Sequence, residues 1–105
     1  MNTNTPISEQ WHRAAQNWVE AEAAADLLEN TKSSVLSQMM MQRPESSVAA
    51  KELAVKAGRT WLEHVEKIAA ARRAANLAKV EADYIRMTMQ EWISEDANHR
   101  AQARL

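Results

Sequence analysis

Residues 60–104, TWLEHVEKIAAARRAANLAKVEADYIRMTMQEWISEDANHRAQAR, decide the fold because they read as a single helix. The stretch holds neither Gly nor Pro, and Ala, Leu, Met, Glu, Lys and Arg, the strong helix formers, fill most of it. At 1.5 Å per residue it runs roughly 65 Å. A compact chain of this size has a radius of gyration near 13 Å, so a helix of that length forces an elongated shape. Thr60 and Glu63 match the T-x-x-E capping box at its start.

Two apolar rows run along this helix. Leu62, Val65, Ile68 and Ala69 begin one, and Ala82, Ile85, Met89, Trp92 and Ile93 continue it. Between them lies the small-residue stretch AAARRAANLA, which lets a neighbouring backbone approach closely, while Arg72 and Arg73 point outward or pair with acids of another helix. Leu77, Val80, Tyr84 and Met87 form the second row, on a flank. Two rows imply two packing neighbours, which one hairpin does not supply. The expectation is therefore an all-α homodimer with a coiled-coil or four-helix region.

The preceding chain reads as a second long helix and a short elbow. Residues 1–4 are polar and expected to fray. Thr5 is placed to cap and Pro6 to occupy the first helical position. From there to about Gln42, alternating steps of four and three pick out Ile7, Trp11, Ala14, Trp18, Ala21, Ala25, Leu28, Lys32, Val35, Met39 and Gln42. Nine of these eleven are apolar, a heptad-like seam, and Glu20, Glu22, Asp26 and Glu29 lie off it. Pro44 turns the chain, Ser46 and Ser47 offer a new cap, and a short helix spans about 46–57. Gly58, the sole glycine, suits a helix end requiring positive φ. The whole reads as one helical domain, 1–105, of two long antiparallel helices joined by a short one.

Composition narrows the chemistry. The chain has no Cys, which removes thiol catalysis, disulfides and cysteine zinc sites. One Gly builds no phosphate-cradling loop, and no G-x-S-x-G elbow is present. Glu9 with His12, and Asp96 with His99, approximate the E-x-x-H spacing of metal-binding bundles, but both lie near the chain ends rather than in a dry core. His64, between Glu63 and Glu66, has no nucleophile beside it and reads as a solvated helix residue. The sequence thus assigns no catalytic residue, no metal and no cofactor. With no long apolar run and no basic-then-apolar leader, the expectation is a soluble cytoplasmic protein without a membrane partner.

What remains is surface. An antiparallel hairpin brings Met39, Met40 and Met41 towards Trp61, and Trp11 and Trp18 towards Trp92. Adaptable Met and hot-spot Trp at both ends make these seven residues the partner-binding candidates. Charge is uneven despite a net −1. Residues 1–42 hold two basic and five acidic groups, 43–79 eight and four, and 80–105 three and five. The basic middle packs against acidic partners within or between chains. As the alternative, Lys51, Lys56, Arg59, Lys67, Arg72, Arg73, Lys79 and Arg86 form a strip for phosphate contacts, with nucleic acid as the partner.

The run Ala70-Ala71-Arg72-Arg73-Ala74-Ala75-Asn76-Leu77-Ala78-Lys79-Val80, then Tyr84, Met87, Glu91-Trp92 and Glu95 to Arg100-Ala101, resembles a pattern in short all-helical accessory proteins of tailed bacteriophages encoded near recombination genes. It covers roughly residues 60–105. The resemblance implies a phage accessory protein that contacts a recombination, replication or host-defence protein, and it transfers no catalytic residue. Three expectations follow: a helical interaction module acting on a phage or host protein, a helical nucleic-acid-binding factor, and a purely structural homo-oligomer.

Overall fold

The structure, a computed structural model, describes residues 5–104; the fraying expected at residues 1–4 lies outside them. Four helices follow in order: α1, Ile7–Asn30; α2, Lys32–Met41; α3, Val48–Lys56; and α4, Arg59–Ala103. The described residues contain no strand. The molecule measures 84 × 23 × 16 Å with a radius of gyration of 23.1 Å, the rod that the length of α4 demands.

α1 and α4 pack antiparallel: Ala14 near the start of α1 meets Ala82 and Ile85 of α4, while Glu29 near its end reaches Arg72. The α1 seam matches the heptad reading. Ala14 and Ala25 are buried, Ile7, Trp11, Trp18, Ala21 and Leu28 are half-buried, and along α2 Val35 and Met39 are half-buried. On α4 the buried row is Trp61, Ile68, Ala75, Ala82 and Ile85. The first four are spaced by sevens, so they return to the same side of the helix each two turns. Leu62 and Ala69 are exposed, and Trp61 takes the place expected of Leu62 because it is the residue one heptad before Ile68. Ala25 and Ala75 are fully buried, at 0% exposure. A methyl is the largest group both helices can hold there, and that small size allows their close approach.

Several local expectations are corrected. The first long helix is interrupted at Thr31, with φ −96° and ψ 0°, where the hydroxyl donates at 2.7 Å to the same Leu27 carbonyl that accepts the Thr31 amide at 3.0 Å. Pro6 is itself the cap of α1: its carbonyl accepts from the amides of Glu9 and Gln10, and the Gln10 amide side chain donates to the Thr5 carbonyl at 2.7 Å. Thr60 is inside α4 and makes no capping bond. Gly58 has φ −87° and ψ 157°, extended geometry open to any residue, and serves as the N-cap of α4 rather than a left-handed C-terminal residue. Ala57 closes α3 in right-handed geometry, so one extended residue suffices to start the next helix. Ser47 does cap α3, accepting from the Ala50 amide at 3.1 Å.

Three substitutions check these points by chemical denaturation. Ala75→Leu forces a large group into the tightest layer and lowers stability by about 1–3 kcal/mol. Ala23→Leu, on the exposed back of α1, changes it by less than about 0.5 kcal/mol. At Gly58 an added Cβ would meet the Val55 carbonyl oxygen at 3.3 Å with no unfavourable φ, so Gly58→Ala shifts stability by less than about 1 kcal/mol. A larger loss there would contradict the extended geometry.

Candidate interaction surface

The charged contact between α1 and α4 is concentrated on one residue. Arg72 donates from Nη1 to Glu22 at 2.8 Å, from Nη2 to Asp26 at 2.7 Å, and from Nε and Nη2 to Glu29 at 2.8 and 2.7 Å. Glu22, Asp26 and Glu29 stand on successive turns of α1, so the planar guanidinium spans a ladder of acids. Its hydrogen bonds hold the Glu29 carboxyl below its usual value of 4.5, and the three acids raise the Arg72 pKa in return. This is the pairing expected for the arginines of the Ala-rich stretch, and only Arg72 makes it. Arg73 is exposed and points away from α1.

Of the sequence-selected aromatic and sulfur groups, Trp61 is buried, Trp11, Trp18, Met39 and Met40 are half-buried, and Met41 and Trp92 are exposed. Trp61 is buried, with its ring 5.8 Å from that of His64 and the Lys32 ammonium 5.9 Å above it. Trp11 and Trp18 pack on the Ala14–Ala82–Ile85 cluster, and Lys79 stands 5.7 Å over Trp18. Met39 lines one groove with Val55 and Trp61 at the elbow, Met40 is half-buried, and Met41 is 82% exposed. His64 is not solvated as expected: it is half-buried against Trp61, and its Nε2 has no hydrogen-bond partner. It follows Trp61 by one turn, so it turns inward with the seam.

Two apolar faces of α4 are bare. Leu77, Val80, Tyr84 and Met87 are 56–65% exposed; spaced by three, four and three, they share one face, and that face points away from α1 rather than lying on a flank. The second is the end of the seam itself. Ala82, Ile85, Met89, Trp92 and Ile93 form a continuous row, but α1 begins at Ile7, which packs on the Ala82–Ile85 cluster and lines one groove with Met89, Trp92 and Ile93. Trp92 and Ile93 are therefore exposed, and every residue from Gln90 to Arg104 is open. Exposed apolar faces of this kind mark interaction sites.

The basic strip is partly engaged within the chain, although Lys56, Arg59, Lys67, Arg73, Lys79 and Arg86 are all exposed. Arg72 is held by α1, Lys56 pairs with Glu52 at 2.8 Å, Arg86 lies 3.5 Å from Asp83, and Lys79 covers Trp18. Arg59, Lys67 and Arg73 remain open, and Lys51 is half-buried. Among the described residues no three His, Asp or Glu side chains gather as a metal site. Glu9 pairs with Arg13 and Asp96 with Arg100, each at 2.9 Å, so neither E-x-x-H-like pair presents a free carboxylate. No described helix is long and apolar enough to cross a membrane. Comparison with family models, curated proteins and solved structures finds no match for this chain.

The Arg72 ladder carries a pH signature. Glu29 has a depressed folded-state pKa, so its contribution to stability is present above about pH 4.5 and is lost as pH falls through the folded value. Thermal melts should show the wild type losing stability on acidification below that pH. Arg72→Ala lowers the melting temperature at pH 7 and flattens that acid dependence, and about 1 M salt narrows the gap between the two proteins.

Proposed function

We propose that the chain is a small helical accessory protein of the tailed-phage type that functions as a homodimer and acts by binding another protein. The outward row Leu77–Val80–Tyr84–Met87 supports this reading: four sizeable apolar groups exposed along one side of a helix whose other side is already packed. A second copy covering that row doubles the α1–α4 hairpin into a four-helix arrangement. The bare end of the seam, with Trp92 and Ile93, then serves the phage or host partner. It lies on the α1 side of α4, away from the dimer face, so self-association leaves it accessible.

Light scattering at micromolar concentration tests the first part. The expected mass is about twice the 11.9 kDa of one chain, and Val80→Glu gives a monomer of unchanged helicity by circular dichroism. A wild-type monomer overturns the homodimer. For the second part, affinity purification from the native host with mass spectrometry should yield one stoichiometric protein partner. Trp92→Ala abolishes that capture while altering stability by less than about 0.5 kcal/mol, because the side chain is 58% exposed. Nuclease-sensitive co-purification instead of a protein partner would favour the nucleic-acid alternative.

A further inference from the structure

We infer that the outer face of α4 pairs with its own copy in antiparallel orientation, about a two-fold axis that passes beside Ala82. The inference rests on the homodimer reading above and specifies its register. The apolar row is bounded by charges of opposite sign: Arg73 stands four residues before Leu77, and Glu91 four residues after Met87. The full row Arg73, Leu77, Val80, Tyr84, Met87 and Glu91 is thus symmetric in spacing about its centre and complementary in charge.

In the antiparallel arrangement Val80 meets Tyr84 of the second copy, Leu77 meets Met87, and Arg73 meets Glu91, each contact occurring twice as an isologous interface requires. One step outside this row, Lys67 faces Glu95 of the second copy in the same register. Arg73, Glu91, Lys67 and Glu95 are all exposed, and among the described residues none of the four makes an ion pair within its own chain. Glu81 and Asp83 face their own copies beside the axis, an unfavourable contact that Arg86, 3.5 Å from Asp83, relieves in part. The four complementary pairs outnumber these two like-charged ones. A parallel pair would set Arg73 against Arg73 and Glu91 against Glu91, so charge selects the orientation while the apolar row provides the adhesion.

Charge reversal separates this register from dimerisation as such. Arg73→Glu alone and Glu91→Arg alone each raise the dimer dissociation constant by about tenfold or more. The double variant R73E/E91R returns to within a few-fold of the wild type, and the two single variants mixed together form a heterodimer preferentially. The absence of cysteine gives a clean second readout. Under mild oxidation, Leu77→Cys and Met87→Cys chains cross-link when mixed, and neither cross-links efficiently alone. If the wild type is dimeric but Leu77→Cys cross-links to itself, or the double swap fails to restore pairing, the antiparallel register is overturned and the homodimer stands. If the wild type is monomeric, both fall.

Discussion

Everything in this molecule depends on how closely α1 and α4 approach along their alanine layers. Ala14 and Ala25 on one helix, and Ala75 and Ala82 on the other, are buried with almost no side chain to bury. The energy of such a seam comes from dispersion and excluded water over many short contacts rather than from a few large groups. Its cost is a thin core, with no large side chain fully enclosed among the described residues. The larger groups stand at either end, Trp61 at the elbow and Trp11 and Trp18 towards the open end, and close the seam where the helices begin to part.

Arg72 complements that seam without replacing it. An isolated surface ion pair contributes little, but here one guanidinium bridges three acids and offsets part of their mutual repulsion along the same face of α1. It also fixes the axial register, because only one vertical offset places Arg72 level with Glu22, Asp26 and Glu29. Apolar layers of alanine are nearly interchangeable under a slip of one heptad, whereas the charge ladder is not. Packing supplies the attraction, and the single arginine supplies the alignment.

The pattern of fours and threes was legible because burial on a helix follows sequence period. It located the α1 seam almost residue by residue, and the acidic first segment against a basic middle anticipated the Arg72 contact. Ser47 was recognisable as a cap by type. What misled was local chemistry whose meaning depends on geometry. Gly58 suggests a left-handed residue, since that is what glycine uniquely permits, but it sits in ordinary extended backbone. Thr31 was invisible as a break because threonine inside a helix is common, and its back-bond to Leu27 depends on a rotamer the sequence does not specify. His64 looked solvated between two acids, although its spacing from Trp61 already placed it on the inward side. Of the candidate surface, the outer row of α4 was visible as a second stripe. That Trp92 stands open while Trp11, Trp18 and Trp61 do not follows from where α1 begins relative to α4, a matter of tertiary register.

The unequal lengths of α1 and α4 have a thermodynamic consequence. A free peptide shorter than about twelve residues is only marginally helical in water, because the first turn is costly to nucleate. The segment Ile93–Ala103 meets α1 only at Ile7 and is exposed throughout, yet it continues a helix already nucleated and held by the packed layers upstream. Each of its residues needs only propagation, which Ala, Glu, Gln and Arg favour. On the function proposed above, the partner would meet a segment that is already helical, and association would be spared the ordering cost that a flexible tail of the same sequence carries.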